Sequence, residues 1–291
     1  MKSFMLAGGF GTRLYPFNQV ISEHVFTVYD KPMVYYPLSI LMLGGINDIL
    51  FISTPHDIPI YKTLSGDGSQ FGIELTYVIQ DSPDGLAQAF ILGEDFIDGD
   101  ACALVLGDNI FYGHGLSEQL KNAANKTDRA SVFAYQVKDP ERYGVVDFYD
   151  DGHAIFLEEK AEKLTSKYVG TGLYFLHNDV VEIAKNIKPS HRGELEITDL
   201  NRMYLDENKL IVELLGRGYA WLDTGTIDSL LEAADFVKTV EKRQAIKISA
   251  PEEIAFINGW ISKNQLIDSA NSYGKSPYGV HLHRVAEGKI R

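Results

Sequence analysis

The feature of this sequence that most constrains its fold is the alternation of strand-like and helix-like segments through its first half. Short apolar runs, typical of buried strands, alternate with longer segments that favour helices. The predicted strands are residues 3–7, 48–53, 74–80, 102–106 and 131–137, and the predicted helices are residues 32–43, 86–96 and 116–126. Such alternation requires crossover connections between parallel strands. It therefore predicts a mostly parallel sheet covered by helices on both faces.

The second half of the chain departs from this alternation. Its predicted elements are a hairpin (143–148 and 153–159), a strand (168–176), a helix (194–205), a strand (210–215), a helix (227–243) and short helices after Pro251. The hairpin is indicated by Tyr149-Asp150-Asp151-Gly152 between its two strands. We therefore predict an α/β fold in which antiparallel strands extend the same sheet. The main domain is predicted to cover residues 1–245 and a helical appendage residues 246–291.

The charge balance of the chain restricts its partners. Its 291 residues include 27 basic and 40 acidic side chains, for a formal net charge of −13. This balance argues against nucleic acid or an anionic membrane as a partner, and bound phosphates need locally placed cations. The longest apolar stretch, residues 35–46, is interrupted by Pro37, Gly44 and Gly45 and is too short to span a bilayer. The sequence shows no signal peptide and a single cysteine, Cys102, within an apolar strand, so we expect a cytoplasmic protein.

A glycine-rich turn follows the first predicted strand. Residues 8–16 read Gly-Gly-Phe-Gly-Thr-Arg-Leu-Tyr-Pro. Glycines adopt φ > 0 readily and let backbone N–H groups approach an anion, and the guanidinium of Arg13 suits a polyphosphate. The turn differs from the dinucleotide fingerprint, since Leu14 stands in place of the third glycine, and it lacks the lysine of a P-loop. It therefore predicts a phosphate site of another class, with an ordinary tight turn as the alternative.

Two aspartates are candidate magnesium ligands. Asp108 follows the apolar run Ala-Leu-Val-Leu-Gly, and Asp223 follows Tyr-Ala-Trp-Leu. Carboxylates that converge at strand ends suit Mg²⁺, which prefers oxygen ligands. The alternative is that each aspartate only stabilises the turn after its strand.

Three further segments carry polar residues at predicted strand or helix ends. At the end of Leu157-Glu158-Glu159-Lys160, Lys160 can neutralise a phosphate and Glu159 can accept sugar hydroxyls. Gln80 can read a base edge, and Arg192 can supply a second cation. The alternatives are that residues 157–160 form a solvated strand end, that Gln80 lies in an ordinary connection, and that Arg192 is a surface arginine. The histidines lack zinc-ligand spacing and no nucleophile motif is present, so we expect neither zinc nor covalent catalysis.

Eight collinear motifs resemble those of the glucose-1-phosphate thymidylyltransferases. They are GGFGTRLYP (8–16), YDKPM (29–33), DGLAQAF (84–90), LGDNIF (106–111), DPERYGVV (139–146), LEEK (157–160), RGELEITD (192–199) and WLDTGT (221–226). The resemblance covers essentially the whole chain. It implies a three-layer, Rossmann-like nucleotidyltransferase fold whose catalytic domain is residues 1–245.

The resemblance also implies a reaction and its residues. In this family dTTP and α-D-glucose 1-phosphate give dTDP-glucose and pyrophosphate by in-line attack, with Mg²⁺ and usually in a homotetramer with a regulatory nucleotide site. The residues implied for dTTP are Gly8, Gly11, Thr12, Arg13, Glu23, His24, Gln80 and Gly85. Those implied for the sugar phosphate are Asn109, Gly144, Glu159, Lys160, Gly170 and Arg192. Asp108 and Asp223 are the implied metal ligands, and Arg13, Lys160 and Asp108 the implied catalytic residues.

The chain departs from the family pattern just after the glycine-rich turn. Where the family reads SKQLLP, this chain has Ser-Glu-His-Val-Phe-Thr, so Glu23 replaces the lysine that contacts the triphosphate. An acid there predicts weaker triphosphate binding, and a protonated His24 would restore part of the charge. Smaller departures are Ala161 for proline, Gly170 for valine and Ile227 for histidine. Two hypotheses remain: an active thymidylyltransferase, and a weakly active or inactive relative that binds nucleotide sugar as a regulator.

Overall fold

The structure is a computed structural model that describes residues 1–9, 12–160 and 166–290. The strands are β1 (Lys2–Leu6), β2 (Thr27–Val28), β3 (Lys31–Pro32), β4 (Asp48–Ser53), β5 (Glu74–Ile79), β6 (Cys102–Leu106), β7 (Asn109–Gly113), β8 (Ala130–Gln136), β9 (Gly144–Phe148), β10 (Ala154–Glu159), β11 (Tyr168–Leu176), β12 (Leu210–Leu215) and β13 (Tyr219–Asp223). The helices are α1 (Tyr35–Leu43), α2 (Ile58–Ser65), α3 (Gln88–Leu92), α4 (Glu94–Ile97), α5 (Leu116–Ala124), α6 (Val180–Asn186), α7 (Ile197–Asp206), α8 (Ile227–Gln244), α9 (Pro251–Ile257), α10 (Lys263–Ser272) and α11 (Pro277–Ala286).

Nine of the strands in these ranges form one mixed sheet. Its main path is β10-β9-β11-β6-β1-β4-β5, and β8 joins it beside β11 with β12 on its other side. The pairs β1–β4, β1–β6, β4–β5 and β8–β12 are parallel. The strand β11 is antiparallel to β6, β8 and β9, and β9 is antiparallel to β10. This confirms the predicted α/β fold with antiparallel strands added to a parallel core.

The continuous apolar runs of the central strands bury alternate residues on the two faces of the sheet. Phe4 and Leu50 pack in one core cluster with residues of α3, α6 and α7. Met5 and Phe51 pack in another with residues of α1, α5, α9, α10 and α11. Because successive side chains of a strand point to opposite faces, two clusters on one sheet give a three-layer arrangement. Cys102 lies fully buried in the first cluster, as its apolar context predicts.

The start of the helix predicted at Pro32 was wrong, and the long helix predicted over residues 86–96 is divided. Lys31–Pro32 pairs with Thr27–Val28 as a two-residue strand, so α1 begins at Tyr35 instead. The predicted helix over residues 86–96 is observed as two helices, α3 and α4, which meet at Gly93. A Cβ at Gly93 would overlap the ring of Phe4, so this contact requires glycine and brings the chain close to the sheet.

The C-terminal helices pack on the same core as α1. Ile254 of α9, Leu266 of α10 and Leu282 of α11 belong to the cluster that contains Leu38 of α1. The buried carboxylate of Glu252 accepts hydrogen bonds from two tyrosines that follow it in the chain. The boundary of the appendage at residue 246 stays a prediction. Across the described ranges, no helix is both long and apolar enough to cross a membrane.

Candidate active site

Two cavities lie at the carboxyl ends of the parallel strands. Cavity A, of about 380 Å³, is bordered by residues that follow β1, β4 and β5, namely Gly9, Thr54 and Gln80. Cavity B, of about 220 Å³, is bordered by Asp108, which follows β6. Ligands of open α/β sheets bind at this edge, because strand ends and the loops after them converge there.

The floor of cavity A depends on glycines and on Gln80. Gly9 has φ +120°, a backbone conformation that favours glycine. A Cβ on Gly8 would lie 3.4 Å from Oε1 of Gln80, so the turn after β1 packs directly beside this amide. Gln80 is buried, and its Nε2 donates to Oε1 of Gln88 at 2.6 Å. The amide that the sequence predicted to read a base edge is therefore held in one orientation at the cavity wall.

Cavity A is lined by acids. Its acidic lining residues are Glu23, Asp57 and Asp81, and its lining within the described residues includes neither lysine nor arginine. His56 also lines the cavity, and its Nδ1 lies 2.9 Å from Oδ1 of Asp57. Oε2 of Glu23 accepts a hydrogen bond from Nδ2 of Asn18 at 2.9 Å. Asp57 is largely buried and accepts from Thr54 Oγ1 at 2.8 Å. A polyphosphate in this cavity would meet negative charge, which makes Glu23 the residue most in conflict with the predicted ligand.

The surroundings of His24 disfavour its protonated form, which is the form in which it would restore part of the positive charge. The ring is buried against Gly107, where a Cβ would lie 2.5 Å from its Cδ2. Its Nδ1 is 2.9 Å from the hydroxyl oxygen of Ser22. Burial lowers the pKa of His24 below the ordinary value of 6.5, and this outweighs the opposite effects of Glu23 and Asp57. A neutral His24 thus separates the Glu23 segment from the turn that carries Asp108.

The two candidate metal ligands meet in cavity B through a strand pair that is not part of the large sheet. β7 and β13 are antiparallel, and Asn109 lies opposite Asp223 in their register. Asp108 immediately precedes β7, and its carbonyl accepts hydrogen bonds from the backbone N–H and the hydroxyl of Thr224 at 3.0 and 2.9 Å. This pairing brings together two carboxylates that lie far apart in the chain.

Neighbouring side chains orient both carboxylates. Asn109 donates from Nδ2 to Oδ1 of Asp108 at 2.8 Å, and Nε1 of Trp221 donates to Oδ1 of Asn109 at 2.6 Å. The hydroxyl of Tyr143 donates to Oδ2 of Asp223 at 2.5 Å. Burial, and then repulsion from Asp223, raise the pKa of Asp108 to about 6. The arrangement concentrates negative charge, which a cation would offset.

The other end of cavity B has several groups suited to a hydroxylated ligand. Glu159 lies opposite Gly144 in the β9–β10 pair, and a Cβ on Gly144 would lie only 3.2 Å from Oε2 of Glu159. That oxygen also accepts a hydrogen bond from Thr198 Oγ1 at 2.9 Å. Gly170 lines the same end, where a Cβ would meet Val132 at 3.4 Å. The predicted sugar-site residues Gly144, Glu159 and Gly170 are therefore neighbours.

The predicted cations divide into two groups. Arg13 lines cavity B, but Lys160 and Arg192 line neither cavity. Lys160 is exposed, has φ +48° and directly follows β10. Arg192 lies in the turn before α7, where its Nη2 is 2.8 Å from Oε1 of Glu196. To contact a ligand in cavity B, both side chains would have to change conformation.

Of the residues predicted to bind the nucleotide, Gly85 lies away from the cavities, and Gly11 and the side chain of Thr12 are outside what the structure describes. Gly85 has φ +106°, and a Cβ there would overlap the backbone of Leu195, so its contact is with the chain itself. Gly11 lies outside the described residues, as does Ala161. Thr12 begins a short 3-10 helix that ends at Leu14, and its side chain is not described.

Sequence reasoning missed several residues that line cavity B, among them Arg142, Tyr143 and Trp221. The guanidinium of Arg142 lies 5.6 Å from the ring centroid of Tyr143, whose ring packs edge-on against Trp221 at 5.3 Å. All three lie within the motifs that resemble those of the family, and their place in these motifs could have identified them. The rings of Tyr143 and Trp221 form an aromatic wall beside the two carboxylates, and the guanidinium of Arg142 lies near the ring of Tyr143.

Among the described residues, no group of three or more His, Cys, Asp or Glu side chains is placed to hold a metal. Asp108 and Asp223 alone would leave most coordination positions of an ion to other oxygens. This donor set fits Mg²⁺, which is commonly held by one or two carboxylates together with substrate phosphates and water.

Comparisons with known proteins identify the family. The family model described as nucleotidyl transferase matches residues 2–240. Glucose-1-phosphate thymidylyltransferase of Neisseria meningitidis is 56% identical over 285 residues, which are 98% of this chain and 99% of that protein. The enzyme of the same name from Mycobacterium tuberculosis is 53% identical over 287 residues, 99% of each chain.

Solved structures agree on the fold. A Bacillus anthracis protein assigned as a glucose-1-phosphate thymidylyltransferase, in complex with sucrose, matches with a TM-score of 0.74 and 37% identity over 81% of this chain and 94% of that chain. A UDP-glucose pyrophosphorylase in complex with UDP-glucose matches with a TM-score of 0.73 over 82% and 98% of the two chains. The second match, at 22% identity, supports the fold alone.

Proposed function

The chain belongs to the glucose-1-phosphate thymidylyltransferases of the nucleotidyl transferase family, and we propose that it joins dTTP to α-D-glucose 1-phosphate with release of pyrophosphate. The observation that carries the proposal is the pairing of β7 with β13, which brings Asp108 and Asp223 together. Arg13 and the groups suited to a sugar share cavity B with them. Cavity A is assigned to the nucleoside triphosphate.

The proposed reaction is a single displacement at phosphorus. A phosphate oxygen of the sugar phosphate attacks the α-phosphorus of dTTP and forms the new P–O bond. The bond from the α-phosphorus to its bridging oxygen breaks, and pyrophosphate leaves with the electron pair. Catalysis then comes from positioning and charge neutralisation rather than from an enzyme nucleophile.

Individual residues take separate parts in this proposal. Arg13 neutralises phosphate charge, and Gln80, fixed by Gln88, reads the base. Glu159, whose carboxylate lies close to Gly144, accepts sugar hydroxyls. Lys160 and Arg192 bind the sugar phosphate after moving toward cavity B. For Arg192, this means exchanging its partly exposed ion pair with Glu196 for the ligand.

We assign Asp108 and Asp223 as ligands of Mg²⁺. The ion, when bound, neutralises charge on the reacting phosphates. Support for this assignment comes from the donor set of two carboxylates and from their mutual repulsion. Asn109 and Tyr143 hold the two carboxylates in place through their hydrogen bonds.

A substrate panel tests the proposed function. Pyrophosphate release would be measured with dTTP, UTP, CTP, ATP and GTP, each combined with glucose 1-phosphate and with other hexose 1-phosphates, with and without Mg²⁺. We expect turnover with dTTP and glucose 1-phosphate only when Mg²⁺ is present. Asp223→Asn keeps the shape of the side chain and should abolish most of the activity. Absence of turnover with every triphosphate would contradict the proposal.

We further propose a cytoplasmic homotetramer. Support comes from apolar side chains on the helical surface: Leu231, Ile257 and Val280 are 61%, 71% and 49% exposed. Exposed apolar side chains leave water when another surface covers them, and this contribution favours association. Light scattering of the full chain should give a mass of four subunits, whereas a monomer at micromolar concentration would contradict this assembly.

A further inference from the structure

Asn201 is a buried polar residue on the apolar face of α7. Only 2% of its surface is exposed, and it borders cavity B together with Thr198. The other buried positions of this helix face include Ile197, Leu200 and Tyr204, which pack in the core. Thr198 and Asn201 are three residues apart, so they lie side by side on the helix. A polar pair thus interrupts an otherwise apolar stripe where that stripe meets the cavity.

The side-chain oxygen of Asn201 lacks a partner within the part of the chain that the structure describes. This oxygen, Oδ1, is buried. Buried polar groups are almost always hydrogen-bonded, since an unpaired acceptor is destabilising. An apolar side chain of similar volume would complete the stripe of α7 without this disadvantage. A donor in cavity B would satisfy this acceptor once the amide turns toward the cavity, whereas packing leaves it unpaired.

The surroundings of the amide indicate what kind of donor fits. The apolar walls at this end of the cavity include Val132, Leu157 and Ile197. Glu159 already accepts a hydrogen bond from Thr198 at 2.9 Å. A neutral amide oxygen accepts from a hydroxyl but gives no charge attraction to a phosphate. Apolar walls with a few converging polar groups are typical of a pocket for a neutral, hydroxylated ring.

We infer that Asn201 accepts a hydrogen bond from one hydroxyl of the hexose and thereby determines which sugar phosphates the enzyme uses. This inference rests on the proposed function, because the ligand of cavity B is taken to be the sugar phosphate. Sites that pair a substrate hydroxyl with a buried polar group discriminate strongly against analogues that lack it. Asn201 is a specificity determinant in this assignment, with no part in bond formation.

A thermodynamic cycle tests the assignment. Glucose 1-phosphate and its 2-, 3-, 4- and 6-deoxy analogues would be assayed with the wild type and with Asn201→Leu, which removes the amide at similar volume. We expect one deoxy analogue to lower the wild-type kcat/KM by about 10- to 100-fold. For that analogue alone, Asn201→Leu should cause little further loss, because the partner hydroxyl is already absent. The KM for dTTP should stay unchanged.

Matched variants separate this role from a structural one. Ser39 also has a buried hydroxyl oxygen with no hydrogen-bond partner, but it lies on α1 and borders neither cavity. Ser39→Ala should leave kcat/KM unchanged for all five sugar phosphates. If Asn201→Leu does not fold, Asn201→Ser provides the same cycle with a shorter polar side chain.

The cycle also distinguishes this inference from the proposed function. If the effects of Asn201→Leu and of each deoxy position multiply independently, the amide contacts no sugar hydroxyl and the inference is overturned. That result would leave the proposed function standing. If the wild type does not turn over glucose 1-phosphate at all, the proposed function itself is contradicted.

Discussion

Replacing Glu23 with lysine should strengthen the binding of the nucleoside triphosphate. Glu23 lines cavity A beside Asp57 and Asp81, without a lysine or arginine among the described lining residues. For a phosphate charge about 5 Å away and an effective dielectric constant near 20, each unit charge contributes roughly 3 kcal/mol. Reversing the charge of residue 23 therefore changes its interaction energy with that phosphate by roughly 6 kcal/mol.

The measured effect will be smaller than this nominal value. Glu23 is only partly buried, so water and salt screen its charge. We therefore expect Glu23→Lys to lower the KM for dTTP by about 10- to 100-fold at low ionic strength, and by less as salt increases. Glu23→Gln is the matched control, because its side-chain oxygen can still accept from Asn18 while its charge is lost. Its KM should fall between the other two.

Initial rates at varied dTTP and saturating glucose 1-phosphate measure this effect. The KM for glucose 1-phosphate should not change, since Glu23 does not line cavity B. If both variants keep the wild-type KM for dTTP at every salt concentration, the electrostatic reasoning is refuted. Activity that appears only in Glu23→Lys would instead favour the hypothesis of a weakly active or inactive relative.

Three further predictions concern stability and the sugar phosphate. Gly85→Ala should lower the unfolding free energy in urea by at least about 2 kcal/mol, because residue 85 has φ +106° and a Cβ there would overlap the backbone of Leu195. A loss near zero would contradict the packing argument. The unfolding free energy should fall through His24 as the pH drops from about 7.5 to 5.5, by at most about 1.4 kcal/mol, because the unfolded chain binds a proton near its ordinary pKa whereas burial lowers the pKa in the folded chain. This part of the fall should be absent in His24→Gln, and an equal pH slope in both proteins would refute it. Arg192→Gln should raise the KM for glucose 1-phosphate at least several-fold while changing urea stability by less than about 1 kcal/mol, since the ion pair of Arg192 with Glu196 is partly exposed to water. An unchanged KM would remove Arg192 from the site.

The central strands and the carboxylates could be predicted from local sequence. Residues 49–52 and 102–106 are continuous apolar runs, which are typical of strands buried on both faces, and the structure has strands at Asp48–Ser53 and Cys102–Leu106. Asp108 and Asp223 were recognised because each follows an apolar run. Their meeting was not predictable from spacing, since it depends on the pairing of β7 with β13.

Other properties of the site arise only from tertiary packing. The burial of His24 against Gly107 decides its protonation, and no neighbouring residue in the sequence indicates it. Lys160 and Arg192 lie outside cavity B because of the conformations of the turns after β10 and before α7. Asn201 is a polar residue on a helix face that is otherwise apolar, which is only a weak indication of a binding residue in the sequence. Its possible role becomes apparent only from the cavity beside it.

The stereochemical course of the reaction tests the central claim most directly. The full chain would be incubated with Mg²⁺, glucose 1-phosphate and a single diastereomer of α-thio-dTTP, and the product would be analysed by ³¹P NMR. Direct attack by the sugar phosphate predicts the thio analogue of dTDP-glucose with inversion at the α-phosphorus. Retention of configuration would indicate a covalent enzyme intermediate. Retention, or a sugar product that forms without release of pyrophosphate, would contradict the account.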